Sequence, residues 1–229
     1  MDLSNLTLLI PAKFEKESLP IVINHLDKLN CRKLVVLAAN DTETIEAIKN
    51  LNCEILFQKK LGYGNALIEG INNINTKYLC IFNADGSFDH NDLEKMYSLV
   101  TSKSLDFIFA SRYSGNSSGS EDDSFVTYVG NKAFTFLGNL LFRLDLKDIL
   151  YTYVLGKTNS FKSSKLTCGD FRICVELPIN IKKFGFIYNS YSSFEKKRLF
   201  GKKKVKEFKD GFFILYYMIC RFFKIKSCQ

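Results

Sequence analysis

Five short apolar runs, at residues 6–10, 33–37, 53–57, 78–82 and 106–110, are separated by segments of helical length. Each run is almost continuously aliphatic or β-branched, the pattern of a strand covered on both faces. The intervening segments 15–29, 42–51, 65–74 and 89–100 are long enough to cross a sheet and return parallel. Strand–helix alternation of this kind makes a mostly parallel, doubly wound α/β sheet flanked by helices. Asp41 and Asp89 stand where helices should start, since a short acidic side chain accepts from amides that lack an intrahelical partner. The alternation holds to about residue 112.

Ligands of open α/β sheets bind at the carboxyl ends of the strands, so the residues following each run matter most. The first run ends in Pro11-Ala-Lys-Phe-Glu15 and the second in Ala38-Ala-Asn-Asp41. The third leads into Leu-Gly-Tyr-Gly-Asn-Ala (61–66), the fourth into Asn-Ala-Asp-Gly-Ser (83–87), and the fifth into Ser-Arg-Tyr (111–113). Missing side chains at Gly62 and Gly64 permit close backbone approach, and Asn65 opens a helix. The guanidinium of Arg112 suits a bidentate phosphate contact.

These turns, in this order, resemble a family 2 glycosyltransferase, and more closely its polyprenyl-phosphate branch, typified by dolichyl-phosphate mannose synthase. The resemblance covers roughly residues 5 to 206 and is strongest up to Arg112. It implies a glycosyltransferase A-type, Rossmann-like sheet and a nucleotide-sugar donor carrying GDP or UDP. Pro11, Lys13, Glu15, Gly62, Gly64, Asn65, Asn83, Ala84 and Asp85 become nucleotide-sugar contacts, with Asp41 standing in for carboxylates that Ala38 and Ala39 lack. Asp85 and Asn83 would hold Mg²⁺ or Mn²⁺, with Asn83 in place of the family's first carboxylate. Asp85 and Arg112 would then serve the chemistry. Near the end, Arg198-Leu-Phe-Gly-Lys-Lys-Lys204 resembles the branch's Arg-x-x-Gly-x-Ser-Lys, which implies that Arg112, Arg198 and Lys204 meet the acceptor phosphate. Asp148 falls where the branch has an Asp, while Thr152 and Tyr153 depart from its Gly-Phe pair.

Charge divides the chain. Residues 196–226 hold eleven Lys or Arg against Glu207 and Asp210, a surplus of nine, whereas the whole chain carries only +8. The body, residues 1–195, is therefore nearly neutral and divides into a nucleotide-sugar half (1–113) and an acceptor half (114–195). Residues 196–229 form a basic, aromatic tail. Its apolar stretch 211–220 is too short for a bilayer span of roughly 20 residues and is interrupted by Arg221. It is expected either to lie in the interface of an anionic membrane or to pack as an ordinary terminal helix. Ser114–Ser124 reads as a loop, and helices are expected over 131–144 and 171–183. Seven cysteines without a C-x-x-C pair, and an N-terminus without a signal-peptide pattern, point to reduced thiols and a cytoplasmic setting.

The leading functional expectation is transfer of a hexose, with inversion, from a nucleotide sugar to polyprenyl phosphate at the cytoplasmic membrane face, with no nucleic acid as partner. A phosphate acceptor is ionised at neutral pH and needs no base. The alternative acceptor is a saccharide hydroxyl in lipid-linked or surface-glycan assembly, which needs a carboxylate such as Glu121, Asp122 or Asp123. The losses at Ala38, Ala39 and Asn83 support a third reading, a sugar-nucleotide binding module without catalysis.

Overall fold

The computed structural model describes residues 2–225. All five expected strands form: β1 (Leu6–Pro11), β2 (Arg32–Leu37), β3 (Glu54–Phe57), β4 (Tyr78–Ile81) and β5 (Phe107–Ser111). The crossovers between them are α1 (Ser18–Leu26), α2 (Thr42–Ile48), α3 (Tyr63–Asn73) and α4 (Asp92–Ser102). Asp41 caps α2 by accepting from the Thr44 amide. Asp89 does not start α4. Its side chain accepts from the Asn91 amide in a turn ahead of the helix and also takes Lys196.

The second half adds β6 (Gly119–Ser120), α5 (Phe125–Phe142), β7 (Val154–Lys157), α6 (Thr158–Ser163), α7 (Ile173–Lys183), β8 (Tyr188–Ser192), β9 (Phe194–Glu195) and α8 (Glu207–Phe222). The large sheet runs β3-β2-β1-β4-β7-β5-β8. It is parallel except at β7, which is antiparallel to both β4 and β5. A Cβ at Gly156 of β7 would stand 2.5 Å from the Asp106 carbonyl oxygen, so glycine lets this central strand close up against β5. The loop expected over 114–124 contains β6, which pairs with β9.

Alternate residues of β1 feed two cores: Leu6, Leu8 and Ile10 join α1 and α4, while Leu9 joins α3 and α7 on the other face. The tail helix α8 belongs to that second core, with Ile214, Tyr217 and Met218 buried in it. No helix among the described residues is long and apolar enough to cross a membrane. Cys31, Cys53, Cys80, Cys168 and Cys174 are free thiols, and Cys228 lies outside the described residues.

The docking of α8 makes a direct expectation. Met218→Ala should lower stability to unfolding by about 2–5 kcal/mol, the usual cost of emptying a packed site. Urea denaturation measures it, and a change near zero would show that α8 does not share the core.

Candidate active site

The order of the sheet reverses between β1 and β4, and the loops that leave their carboxyl ends face each other there. Asp85 sits in the loop after β4. One of its oxygens accepts from the Ser87 amide at 3.0 Å, and the other lies 3.5 Å from an Arg198 nitrogen. Ala84 is buried in the core beneath it. The Asn83 amide nitrogen reaches the Ser87 hydroxyl at 3.4 Å, which leaves the box with two hard oxygen donors, from Asp85 and Asn83. Among the described residues no group of three or more His, Cys, Asp or Glu gathers to hold a metal. The donor set fits Mg²⁺ or Mn²⁺ shared with phosphate oxygens, not a closed protein cage.

A strap of residues 196–206 crosses this box and is stitched to it by backbone. The Lys196 amide donates to the Ser87 carbonyl (2.8 Å) and the Leu199 amide to the Asp85 carbonyl (2.9 Å). Gly86 adopts φ +80°, and a Cβ there would stand 2.7 Å from Leu199, so glycine is needed both for the turn and for the strap above it. The strap's cations land on three carboxylates. Arg198 bonds Asp122 at 2.8 Å as well as facing Asp85, Lys203 lies 3.7 Å from Asp122, and Lys204 lies 3.4 Å from Glu15. Burial raises the Glu15 carboxyl above its ordinary range, opposed by the Ser18 hydroxyl and by Lys204. Burial would also raise Asp122, but Arg198 and Lys203 hold it below the usual carboxylate range.

Arg112 is held by carboxylates. Its guanidinium is buried and grips Asp148 through two nitrogens (2.7 and 3.1 Å), with Glu195 at 3.2 Å and Asp123 at 3.5 Å. Tyr151 stacks against it, 4.7 Å from ring centre to guanidinium carbon. Burial pushes the Glu195 carboxyl up against the pull of Arg112. The residue expected to meet phosphate is thus a pin in this structure, with three carboxylates on its donors.

Three other expected contact residues, Asp41, Gly62 and Gly64, have partners within the chain. Asp41 is buried and accepts from the Phe14 amide at 2.6 Å besides capping α2, which ties the β1 turn to α2. Gly62 and Gly64 make room for backbone, not ligand: Cβ atoms there would meet the carbonyl oxygens of Gly169 and Cys168 at 2.3 and 2.0 Å. The Asn65 amide donates to the same Gly169 carbonyl. Pro11 ends β1, and Lys13 is exposed at the cleft's rim, its ammonium 5.7 Å from the Phe14 ring. Asp122, Asp123, Asp148 and Glu195 are site residues whose roles sequence reasoning missed. The acids of the 121–123 loop and the motif position of Asp148 were the available signals, and Glu195 had none.

The comparisons agree with this architecture. Residues 7–164 match the model of glycosyl transferase family 2. An uncharacterised glycosyltransferase of Mycobacterium bovis is 33% identical over 92 residues, which is 39% of this chain and 41% of that protein. The match thus spans about two fifths of the curated relative's length. Among solved structures, mannosyl-3-phosphoglycerate synthase of Rubrobacter xylanophilus superposes with a TM-score of 0.74 at 14% identity, over 98% of this chain and 75% of that one. Glucosyl-3-phosphoglycerate synthase of Mycobacterium tuberculosis, solved with Mn²⁺, UDP and glucosyl-3-phosphoglycerate, gives 0.72 at 11% identity over 95% and 79%. At these identities the structural likeness speaks for the fold, a glycosyltransferase A-type sheet.

The pin role of Arg112 has a measurable consequence. Arg112→Gln leaves Asp148, Glu195 and Asp123 without their shared cation and should cost about 3–5 kcal/mol of stability. Adding Asp148→Asn should recover part of that loss, because the two residues act as one unit. A single variant as stable as the parent, but without sugar transfer, would return Arg112 to the phosphate.

Proposed function

The chain belongs to glycosyl transferase family 2, and we propose that it moves a hexose from a nucleoside-diphosphate sugar to polyprenyl phosphate, with inversion at the anomeric carbon. One observation carries the reading: three cations of a single strap, Arg198, Lys203 and Lys204, meet three carboxylates, Asp85, Asp122 and Glu15, at the carboxyl ends of the central strands. Direct displacement leaves a nucleoside diphosphate, and charge grows on it as the glycosidic bond breaks. Cations fixed nearby in advance stabilise that charge without reorganising.

Asp85 and Asn83 would hold a divalent ion that neutralises the diphosphate from one side. With Asp85 so engaged, Arg198 is freed toward the phosphates, and Lys203 and Lys204 extend the same positive surface. The Lys204–Glu15 pair, at 3.4 Å, is a loose tie. A phosphate acceptor attacks as an anion and asks for no base. That agrees with the local acids: Asp122 is held in an ion pair with Arg198, and Asp123 accepts from Tyr113 and Asn131. A cytoplasmic membrane face would supply such a lipid.

A second reading has a specific observation behind it. Glucosyl-3-phosphoglycerate synthase has been solved with phosphoglyceric acid, an acceptor that is small and water-soluble. The attacking group would then be a hydroxyl, and Glu121, exposed beside the strap with its carboxylate accepting from the Lys197 amide, would be the base.

Radiolabelled UDP-glucose or GDP-mannose, supplied with Mn²⁺ and either polyprenyl phosphate or 3-phosphoglycerate, separates the two. The expected result is label in the organic phase. Asp85→Ala should reduce it about 10²–10³-fold, as loss of one preorganised charge-stabilising group does. Glu121→Gln should leave it within a few-fold. Label only in a water-soluble product that Glu121→Gln abolishes would favour the hydroxyl acceptor.

A further inference from the structure

We infer that α5 and α8 together form a seat for an anionic lipid surface, an inference that rests on the lipid-phosphate reading above and adds to it where the protein sits. Each helix turns one face inward. Asn131, Thr135 and Gly138 of α5 are buried, as are Ile214, Tyr217 and Met218 of α8. The outward faces are apolar instead of polar. Phe125, Val129, Phe136 and Leu140 line α5, and Phe208, Phe212, Ile219 and Phe223 line α8 and its end. Both sets follow the same helical spacing of four, seven and four residues, which makes each a single stripe. Phe125 is 81% exposed and Phe208 84%.

The two helices are neighbours. Phe134 lies against Gly211 and Phe142 against Phe222, so the helices run side by side in the same direction. Phe134 and Phe142 pack on the same core cluster as the inner face of α8, which turns the opposite faces outward from one layer. Exposed apolar stripes on two neighbouring helices mark an interaction site.

Charge selects the occupant. Lys202, Lys206 and Lys209 are exposed around the start of α8, Lys224 at its end, and Lys132 and Arg143 on and after α5. Glu207 is the exposed acid on α8, while Asp210 is half-buried and accepts from the Lys206 amide. A basic rim around an apolar centre matches an interface with anionic headgroups over acyl chains. A second copy would bring two basic rims together. The patch is also continuous with the site: Phe125, Tyr128 and Lys132 line a cavity of about 470 Å³ that reaches Arg112 and Asp123. The strap that carries Arg198 leads directly into α8. Seated on this face, the protein would hold its cleft at the height of a lipid's phosphate.

Flotation of the full chain with phosphatidylcholine vesicles, with and without phosphatidylserine, at low and high salt, is the test. The full chain should float with the anionic vesicles and be released by salt. Phe136→Ser and Phe212→Ser, each on a different helix and away from the cleft, should each weaken partitioning at least about tenfold. Thermal stability and nucleotide binding should not change in either. Failure of the full chain to float at low salt would overturn the seat, as would retention of wild-type partitioning in the Phe136 variant. A dimer in sedimentation that both substitutions dissociate would overturn it too, in favour of a second copy. The acceptor reading fails separately: flotation without lipid product leaves the seat standing, and lipid product in detergent without flotation leaves the acceptor standing.

Discussion

The guanidinium of Arg112 joins three stretches of chain that are distant in sequence. It reaches Asp148 ahead of β7, Glu195 in β9 and Asp123 at the start of α5. A buried cation between carboxylates is a poor source of net stability, because each charge gives up its water. What it supplies is position. With β9 pinned beside the 119–123 loop, the strap that follows must cross the Asn83–Asp85 box, and Asp122 stands next to Arg198. Over the box itself the strap is held by two backbone hydrogen bonds and by the ion pairs of Arg198.

The strap gives the ligand-free site an internal set of counter-ions. Asp85, Asp122 and Glu15 would otherwise repel one another at the mouth of the cleft. Arg198, Lys203 and Lys204 neutralise them without burying either partner completely, and contacts of 3.4 to 3.7 Å at Glu15, Asp85 and Asp122 are loose enough to exchange. A donor diphosphate arriving with a divalent ion would satisfy the same charges in a new arrangement, with metal on carboxylate and guanidinium on phosphate. Burial raises the Glu15 carboxyl, which works against its pairing with Lys204.

Much of this architecture was legible from local pattern. Strands β1, β2, β4 and β5 are buried along nearly their whole length, so their apolar runs mark them without reference to the rest of the chain. β7 was invisible because it is four residues long and includes Gly156 and Lys157. β8 was invisible because it is a half-exposed edge strand of Tyr, Asn and Ser. The Asp85 box and the Arg198–Lys204 strap were legible as motifs, yet the ion pairs between them were not. The partners of Arg112 lie 11, 36 and 83 residues away, a distance over which composition carries no register. The glycine turn misled for a related reason: Gly62 and Gly64 accommodate the backbone of 168–170, and a backbone partner leaves no side-chain signature. The tail packs one face of its helix in the core, as the second expectation had it, and leaves the other face open.

Calorimetric titration of Mn²⁺ into the protein and its Arg198→Gln variant, alone and with UDP or GDP, tests the exchange of counter-ions most directly. If Arg198 is the ion that the metal displaces, the variant should bind Mn²⁺ alone more tightly, because Asp85 has lost its competing cation. The same variant should bind the nucleoside diphosphate with Mn²⁺ about tenfold or more weakly, since a charged hydrogen bond to phosphate is gone. Opposite signs for the two titrations are the result that follows from this geometry. Equal weakening of both, or no change in either, would contradict it and leave the strap as scaffold alone.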